Sequence, residues 1–286
     1  MKELLGRKCL VTGASRGFGA ALARAFWNEG ADLLLVARNG DHLRALIESF
    51  PSHEGQTAMP LTADLGEHDA PDAIARAVDR FGGVDVIVNN AAIQGPIGPL
   101  WCNDANEWQR TIAVNLLAPA AVCRLLIPVL QRRGGGSIVN LSGGGAAGPR
   151  PNFTAYAASK AALVRFSETL ADEVRPLNIN VNCVAPGAMA TSMMDDIAAA
   201  GEAAGARERE MVEKVRRGGA ESMAAAVALV LFLASRRASA ITGKLISAVW
   251  DPWNELVDRV HDLRQTDVYT LRRIVPADRQ LRWDVR

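Results

Sequence analysis

The sequence predicts an α/β fold: a doubly wound parallel sheet of about seven strands with helices on both faces. Three features of the chain point to it. Short, continuous apolar runs recur, as expected of strands buried on both faces. Each is followed by a longer stretch of helical periodicity, so consecutive strands are joined by crossovers and lie parallel. The first run ends directly in a glycine-rich turn that opens a helix, an arrangement that places a ligand at the carboxyl edge of such a sheet.

Taken in order, residues 8–11 form the first strand, closed by Thr12 and Gly13, and residues 16–29 a helix ended by Gly30. Residues 32–37 are a second strand rich in Leu and Val, followed by a helix at about 41–49 and a third strand near 57–61. A helix over 70–81 is stopped by Gly82-Gly83, and residues 84–88 make the fourth strand. Two helices fill 105–132 before the glycines at 134–136, and 137–141 is the fifth strand. A long helix at 153–175 leads to a sixth strand at 179–184, and 245–249 supplies a seventh. Between them, the stretch 195–217 is rich in Ala, Gly and charge, helical but weakly apolar.

Composition narrows the function classes. The chain has 286 residues, at the upper end of one domain, and its 49% hydrophobic and 22% charged residues suit a globular protein. Lys plus Arg (32) balances Asp plus Glu (31), so no net field draws nucleic acid or anionic lipid, and neither is expected as a partner. No apolar run reaches the ~20 residues that span a bilayer, so no membrane partner is expected. The N-terminus enters a strand pattern at once, without a secretory pattern. Cys9, Cys102, Cys123 and Cys183 are scattered, which suits reduced thiols in a cytoplasmic protein. The four histidines show no ligand spacing, and no metal is expected.

The turn after the first strand reads Gly13-Ala14-Ser15-Arg16-Gly17-Phe18-Gly19. Glycine is needed where the backbone turns sharply and a pyrophosphate approaches the main chain, and the following helix offers that anion its free N–H groups. Phosphate discrimination belongs at the end of the second strand. A carboxylate there would bind ribose hydroxyls and repel a 2′-phosphate. The chain has Val36-Ala37-Arg38-Asn39 instead, and Arg38, with Arg16, offers a phosphate a planar charged fork. The expected cofactor is NADP in preference to NAD.

Further motifs follow the strand ends. Ala63-Asp64-Leu65 follows the third strand, and Asn89-Asn90-Ala91-Ala92 ends the fourth. Ser142 ends the fifth, Tyr156 and Lys160 lie four positions apart on the long helix, and Pro186-Gly187 and Thr191 follow the sixth. With the Gly-x-x-x-Gly-x-Gly turn, these resemble the short-chain dehydrogenase/reductase family in its compact, 3-oxoacyl reductase-like form, over roughly residues 5–250. The resemblance implies a Rossmann-type fold and one dinucleotide-binding and catalytic domain over 1–250. Residues of about 191–217 would be a substrate lid, and 251–286 a C-terminal extension. It implies that Asp64 and Leu65 meet the adenine, that Asn90, Ala91 and Ala92 line the cofactor, and that Pro186, Gly187 and Thr191 reach the nicotinamide carboxamide. Ala92 stands where the family usually has glycine. Asn115, Ser142, Tyr156 and Lys160 take the places of the catalytic tetrad. In it, Asn115 holds a water that links Lys160 to solvent, and Lys160 also holds the nicotinamide ribose. A homodimer or homotetramer built partly on the long helix is implied as well.

The chemistry needs these residue types. Reducing a carbonyl takes a hydride to carbon and a proton to oxygen. Tyr156 can give that proton, but a free tyrosine has a pKa of ~10, too high for efficient transfer near neutrality. A lysine four residues on shares its helical face. At ~4 Å and an effective dielectric of ~20 it would favour tyrosinate by ~4 kcal/mol, about three pKa units. Ser142, at the carboxyl edge of the sheet, can donate to the same oxygen as charge develops.

The expected activity is therefore NADP-dependent interconversion of a ketone and a secondary alcohol, on a small-molecule substrate. Two other readings stay open: a regulatory protein that binds nucleotide without catalysis, and an epimerase using transient hydride transfer. Gln94, Gly144, Phe153, Met189 and Met194 are candidate substrate contacts, with core filling the alternative for the methionines. Acyl thioester, sugar derivative, cyclic alcohol and steroid-like ketone all remain open as substrate. In the tail, Trp253, Leu256, Val257 and Val260 have helical spacing and suit an apolar stripe, packed either on the chain's own surface or on a neighbouring subunit and its cleft. Trp250 and Trp283 add apolar surface to the tail region.

Overall fold

In the computed structural model, which describes residues 2–281 apart from the side chains of residues 219–222, the apolar runs become strands of one parallel sheet. The strands are β1 (Lys8–Thr12), β2 (Asp32–Ala37), β3 (Ala58–Thr62), β4 (Val86–Asn89), β5 (Gly136–Leu141), β6 (Ile179–Ala185) and β7 (Leu245–Ser247), in spatial order β3-β2-β1-β4-β5-β6-β7. The helices are α1 (Gly17–Asn28), α2 (Gly40–Glu48), α3 (Ala70–Phe81), α4 (Ala105–Ile112), α5 (Ala118–Arg132), α6 (Thr154–Val174), α7 (Ser192–Ala200), α8 (Ala206–Ala234) and α9 (Val260–Gln265). The winding direction reverses between β1 and β4, and this opens a crevice at the carboxyl ends of the strands.

Alternation within the apolar runs builds two cores. Leu33 and Leu35 of β2 face Leu22 and Phe26 of α1 and Leu229 of α8. Leu34 and Val36 face Ile74 of α3, Leu126 of α5 and Leu170 of α6. That is why the strands read as continuous apolar runs instead of alternating ones.

Three elements depart from the sequence expectation. First, residues 105–132 form one continuous helical run, in which α4 and α5 are joined by a π-helical turn at Ala113–Leu117. Such a turn is a single-residue insertion common at functional sites, and this one carries Asn115. The run is long and apolar enough to cross a membrane by length and composition; its apolar side is Val122, Leu126 and Leu130, packed in the second core. Second, the helix expected to end at 217 continues to Ala234, with a break at Gly218 (φ −151°, ψ 16°). Leu229, Val230 and Leu233 of its far half lie in the first core. Third, β7 stops at Ser247, because the Asp251 carboxylate accepts the Ser247 N–H at 2.6 Å and turns the chain away.

The tail packs on its own chain. Trp253 meets the Phe232 ring at 5.7 Å, and Leu256 and Leu263 are buried in the first core, while Val257 is exposed. Helical spacing over 253–260 resolves into a 3₁₀ turn, Trp253–Glu255, and the short α9. Beyond α9 the chain straps the outer edge of β7. The Leu245 N–H donates to the Tyr269 carbonyl at 2.8 Å, and the buried Lys244 ammonium donates to the Val268 and Thr266 carbonyls at 2.8 and 3.3 Å. The Leu271 N–H donates to Glu168 of α6 at 2.7 Å. An otherwise open sheet edge is thereby covered. Trp283 lies outside the described residues.

Candidate active site

Ser142, Tyr156 and Lys160 meet where β5 ends and α6 begins. All three are buried and all three line one cleft of about 770 Å³. The loop between them brings Tyr156 Oη against the backbone of Gly143, where any Cβ would overlap the hydroxyl. Lys160 Nζ donates to the Leu141 carbonyl at 2.7 Å and lies 5.7 Å from the Tyr156 ring centroid. The Ser142 hydroxyl is buried and has no protein partner. Asn115 stands behind the cleft wall. Its Oδ1 accepts the Ile93 N–H at 2.9 Å, and its Nδ2 donates to the Ile93 carbonyl and to Ser159 Oγ at 3.0 and 3.1 Å. The π turn and the segment after β4 are locked together by these bonds.

Beneath the site a buried polar chain sets the register of α6. Asn89 Nδ2 donates to Asn140 Oδ1 at 2.8 Å, Asn140 Nδ2 donates to Ser167 Oγ at 2.7 Å, and Cys183 Sγ lies 3.1 Å from the same hydroxyl. The chain satisfies each member and ties β4, β5, β6 and α6 into one arrangement.

The electrostatics differ from the sequence expectation. Burial is the dominant influence on Tyr156 and pushes the phenol up; the cation that opposes it is Arg150, not Lys160. Burial also pushes Lys160 down to about 8, with Cys183 acting against it. The ammonium is turned toward the Leu141 carbonyl, so sharing a helical face does not by itself bring the two groups into contact.

All but one of the cofactor residues expected from the sequence lie on the same cleft. Gly13, Ser15, Arg16, Gly17, Phe18 and Gly19 form one end, with Arg38, Asn39, Asp64 and Leu65 beyond them. Asn90, Ala91 and Ala92 form the floor, and Pro186 and Thr191 close the far side. Gly187, at φ +83°, turns the chain between these two without lining the cleft. Gly19 sits so near the Gly13 carbonyl that a Cβ would overlap it, which accounts for the third glycine of the turn. Helix α1 begins with no side-chain cap and no acidic residue in its first turn, so its positive end faces the cleft uncompensated. The Asn90 amide is spent on the Thr12 and Gly13 carbonyls, at 2.8 and 3.2 Å, and fastens the glycine turn to β4. Asn39 caps α2 by accepting the His42 N–H at 3.0 Å.

Asp64 is already engaged. It accepts the Gly66 N–H at 2.9 Å and pairs with Arg110 at 2.8 Å. Burial works against its ionisation, but the Gly66 N–H and Arg110 outweigh it and hold the carboxyl below the usual carboxylate range. Arg110 lines the cleft too. Nothing in its local sequence marks it, because its partner is 46 positions away.

The five substrate candidates are dispersed. Met189 lines the cleft. Phe153 and Met194 pack with Tyr156 in an apolar cluster that also holds Ile197, Val212 and Val215. Gln94 is buried with both amide atoms unpartnered, off the cleft wall. Gly144 lies beside Arg150. Arg150, which the sequence did not single out, pairs with Glu208 beside the tyrosine.

Residues 7–201 match the family described as short chain dehydrogenase. A 3beta-hydroxysteroid dehydrogenase 1 from Eggerthella lenta is 39% identical over 248 residues, which cover 84% of this chain and 91% of that protein. Dehydrogenase/reductase SDR family member 4 of Homo sapiens is 33% identical over 246 residues, covering 85% and 86%. Among solved structures, L-sorbose reductase from Gluconobacter frateurii, complexed with NADPH and L-sorbose, aligns with a TM-score of 0.74 at 31% identity, over 86% of this chain and 97% of that one.

Proposed function

Because the chain belongs to the short-chain dehydrogenase/reductase family and is an oxidoreductase, we propose that it interconverts a ketone and a secondary alcohol on a small-molecule substrate, with NADP as cofactor and Tyr156 as general acid and base. The observation that carries this reading is the convergence of Ser142, Tyr156 and Lys160 on the same cleft as the glycine turn. The residues present fit a dinucleotide. The uncompensated start of α1 suits the pyrophosphate, and the partnerless Ser142 hydroxyl waits at the other end. Arg16 and Arg38 are exposed at the rim, and the acidic residues nearby, Asp41 and Asp64, are paired with Arg44 and Arg110. That balance favours a 2′-phosphate, and the related L-sorbose reductase is complexed with NADPH.

A bound nicotinamide supplies or accepts the hydride. The protein handles the proton and the oxygen. Tyr156 Oη donates to the carbonyl oxygen during reduction and takes the proton back during oxidation. Ser142 donates a hydrogen bond to the same oxygen as charge builds. Lys160, held near 8 by burial, can release and regain a proton close to neutrality, which suits it to resupply the tyrosine. Asn115 holds the π turn beside it, and Lys160 would also hold the nicotinamide ribose. Residues 191–217 act as the lid over this site, and the assembly is a homodimer or homotetramer.

Consumption of NADPH and NADH across a panel of ketones, ketoses and acyl thioesters tests this reading. Net NADPH oxidation, abolished by Tyr156→Phe, is expected with at least one class. Tight NADPH binding with no oxidation across the panel, or turnover with no net change in cofactor, would refute it.

A further inference from the structure

Arg150 lies in the loop joining β5 to α6, and Glu208 lies in the first turn of α8, 58 positions later. Their side chains are 10% and 8% exposed. The pair is bidentate: Nε donates to Oε1 at 3.1 Å and Nη2 to Oε2 at 2.6 Å. The same guanidinium stacks on the Phe153 ring, 4.0 Å from its centroid, and lies 5.3 Å from the Tyr156 centroid. Two charges removed from water in this way cost more than they return unless geometry is good, so their stability value alone is a weak account of them. Their placement gives a stronger one. Glu208 belongs to the lid, and Arg150 to the wall that carries the phenol.

We propose that Arg150 is a positioning residue for Tyr156: Glu208 holds its cation beside the phenol ring, where it favours the tyrosinate, and the docked lid thereby sets how readily Tyr156 exchanges its proton. The inference rests on the proposed role of Tyr156 as the proton-transferring group. The charged groups around the ring are Arg150 from the loop, Lys160 from α6 and, through Arg150, Glu208 from α8; Cys183 of β6 lies behind Lys160. The α7 helix and the next turns of α8 contribute Met194, Ile197, Val212 and Val215, which are apolar. In so dry a setting a nearby cation acts strongly. Arg150 is the charge that opposes the upward push of burial on Tyr156. The Glu208 carboxylate, farther from the ring, offsets part of that field. Glu208→Gln keeps an acceptor that holds the guanidinium in place and removes only the offsetting charge, so it and Arg150→Met must move Tyr156 in opposite directions, whereas loss of a purely structural clamp would move it the same way in both variants.

The chain has two tyrosines, so incorporation of 3-fluorotyrosine yields two ¹⁹F resonances, and Tyr269→Phe assigns them. Titrating the full-length protein follows Tyr156 without any substrate, and circular dichroism on the same samples reports the fold. Arg150→Met is expected to raise the Tyr156 midpoint by ~1 pH unit, Arg150→Lys to restore part of that, and Glu208→Gln to lower it by up to ~1 unit. If a single substitution costs the fold, the double variant Arg150→Met/Glu208→Met replaces the pair by an apolar contact, and its midpoint must still lie above that of the parent. Shifts of the same sign in Arg150→Met and Glu208→Gln, or an unmoved midpoint in the double variant, overturn the proposal. The limb of the kcat/KM profile governed by Tyr156 should move in step with the resonance. An enzyme that turns over none of the panel fails the functional reading and leaves the ¹⁹F titration to decide this one separately.

Discussion

The glycine-turn end of the sheet and the later segments, the lid and the tail, differ in how their residues find their places. At the first, the residues that shape the cleft follow directly on the strands that carry them: Gly13 on β1, Arg38 on β2, Asp64 on β3 and Asn90 on β4. At the second, the deciding contacts join distant residues. Arg150 meets Glu208 across 58 positions, and Arg165 donates to the Leu271 carbonyl across 106. The contrast shows where spacing carries information. A strand end is a fixed point in an α/β sheet, so a residue one or two positions beyond it has a predictable address. A tail or a lid has no such fixed point.

Four measurements would break or sharpen that contrast. The largest effect is expected at the first region, where Tyr156→Phe should lower NADPH-dependent turnover by about 10²–10⁴-fold with NADPH affinity kept, read by steady-state kinetics and cofactor fluorescence. Turnover near that of the parent would remove Tyr156 from the chemistry.

Next comes the burial of Lys160, which is held at about 8 against an ordinary 10.5. Below pH 8 the lysine is protonated in both folded and unfolded chains, and the burial cost is fully present. Between about 8 and 10.5 the folded chain releases its proton first, so the unfolded chain binds more protons and stability rises with pH, by up to ~3 kcal/mol. Urea unfolding of the parent and Lys160→Met across that window should show the rise in the parent alone. A flat or falling difference between the two would count against it.

Third, Arg38→Ala should weaken NADPH relative to NADH by roughly 10- to 100-fold, the value of a charge-assisted phosphate contact. Calorimetric titration of both cofactors measures it, and an unchanged ratio would assign the preference elsewhere.

The smallest effect belongs to the tail. Lys244→Met leaves the Val268 and Thr266 carbonyls without their donor and should cost about 1–2 kcal/mol. Thermal unfolding reads that loss, and hydrogen exchange should rise around residues 266–271 while NADPH affinity stays constant. A loss of NADPH affinity of similar size would mean that the two regions are coupled.

The legibility of particular residues follows the same division. The glycine turn, Arg38, Ser142 and the Tyr156–Lys160 pair could each be placed from strand ends and helical spacing, and Asn115 from the family resemblance alone. The direction of Lys160 could not, because its ammonium is taken up by the Leu141 carbonyl of a neighbouring strand. Arg110 and Arg150 were invisible because each is defined by a partner far along the chain. The far half of α8 was overlooked beside the weakly apolar lid, although its Val, Leu and Phe residues fill the first core. The π turn escaped notice because the two helices it joins have ordinary periodicity on either side.

The amino-acid sequence by itself determined the parallel α/β sheet, the succession of its strands and helices along the chain and the strand ends that carry the cleft, because continuous apolar runs, helical period and glycine placement act over a few residues. Only the tertiary structure decided which charges face the tyrosine, what the Asp64 carboxylate holds and where the tail lies. Those outcomes depend on burial and on pairs brought together by the fold, and neither is a property of any short stretch of chain.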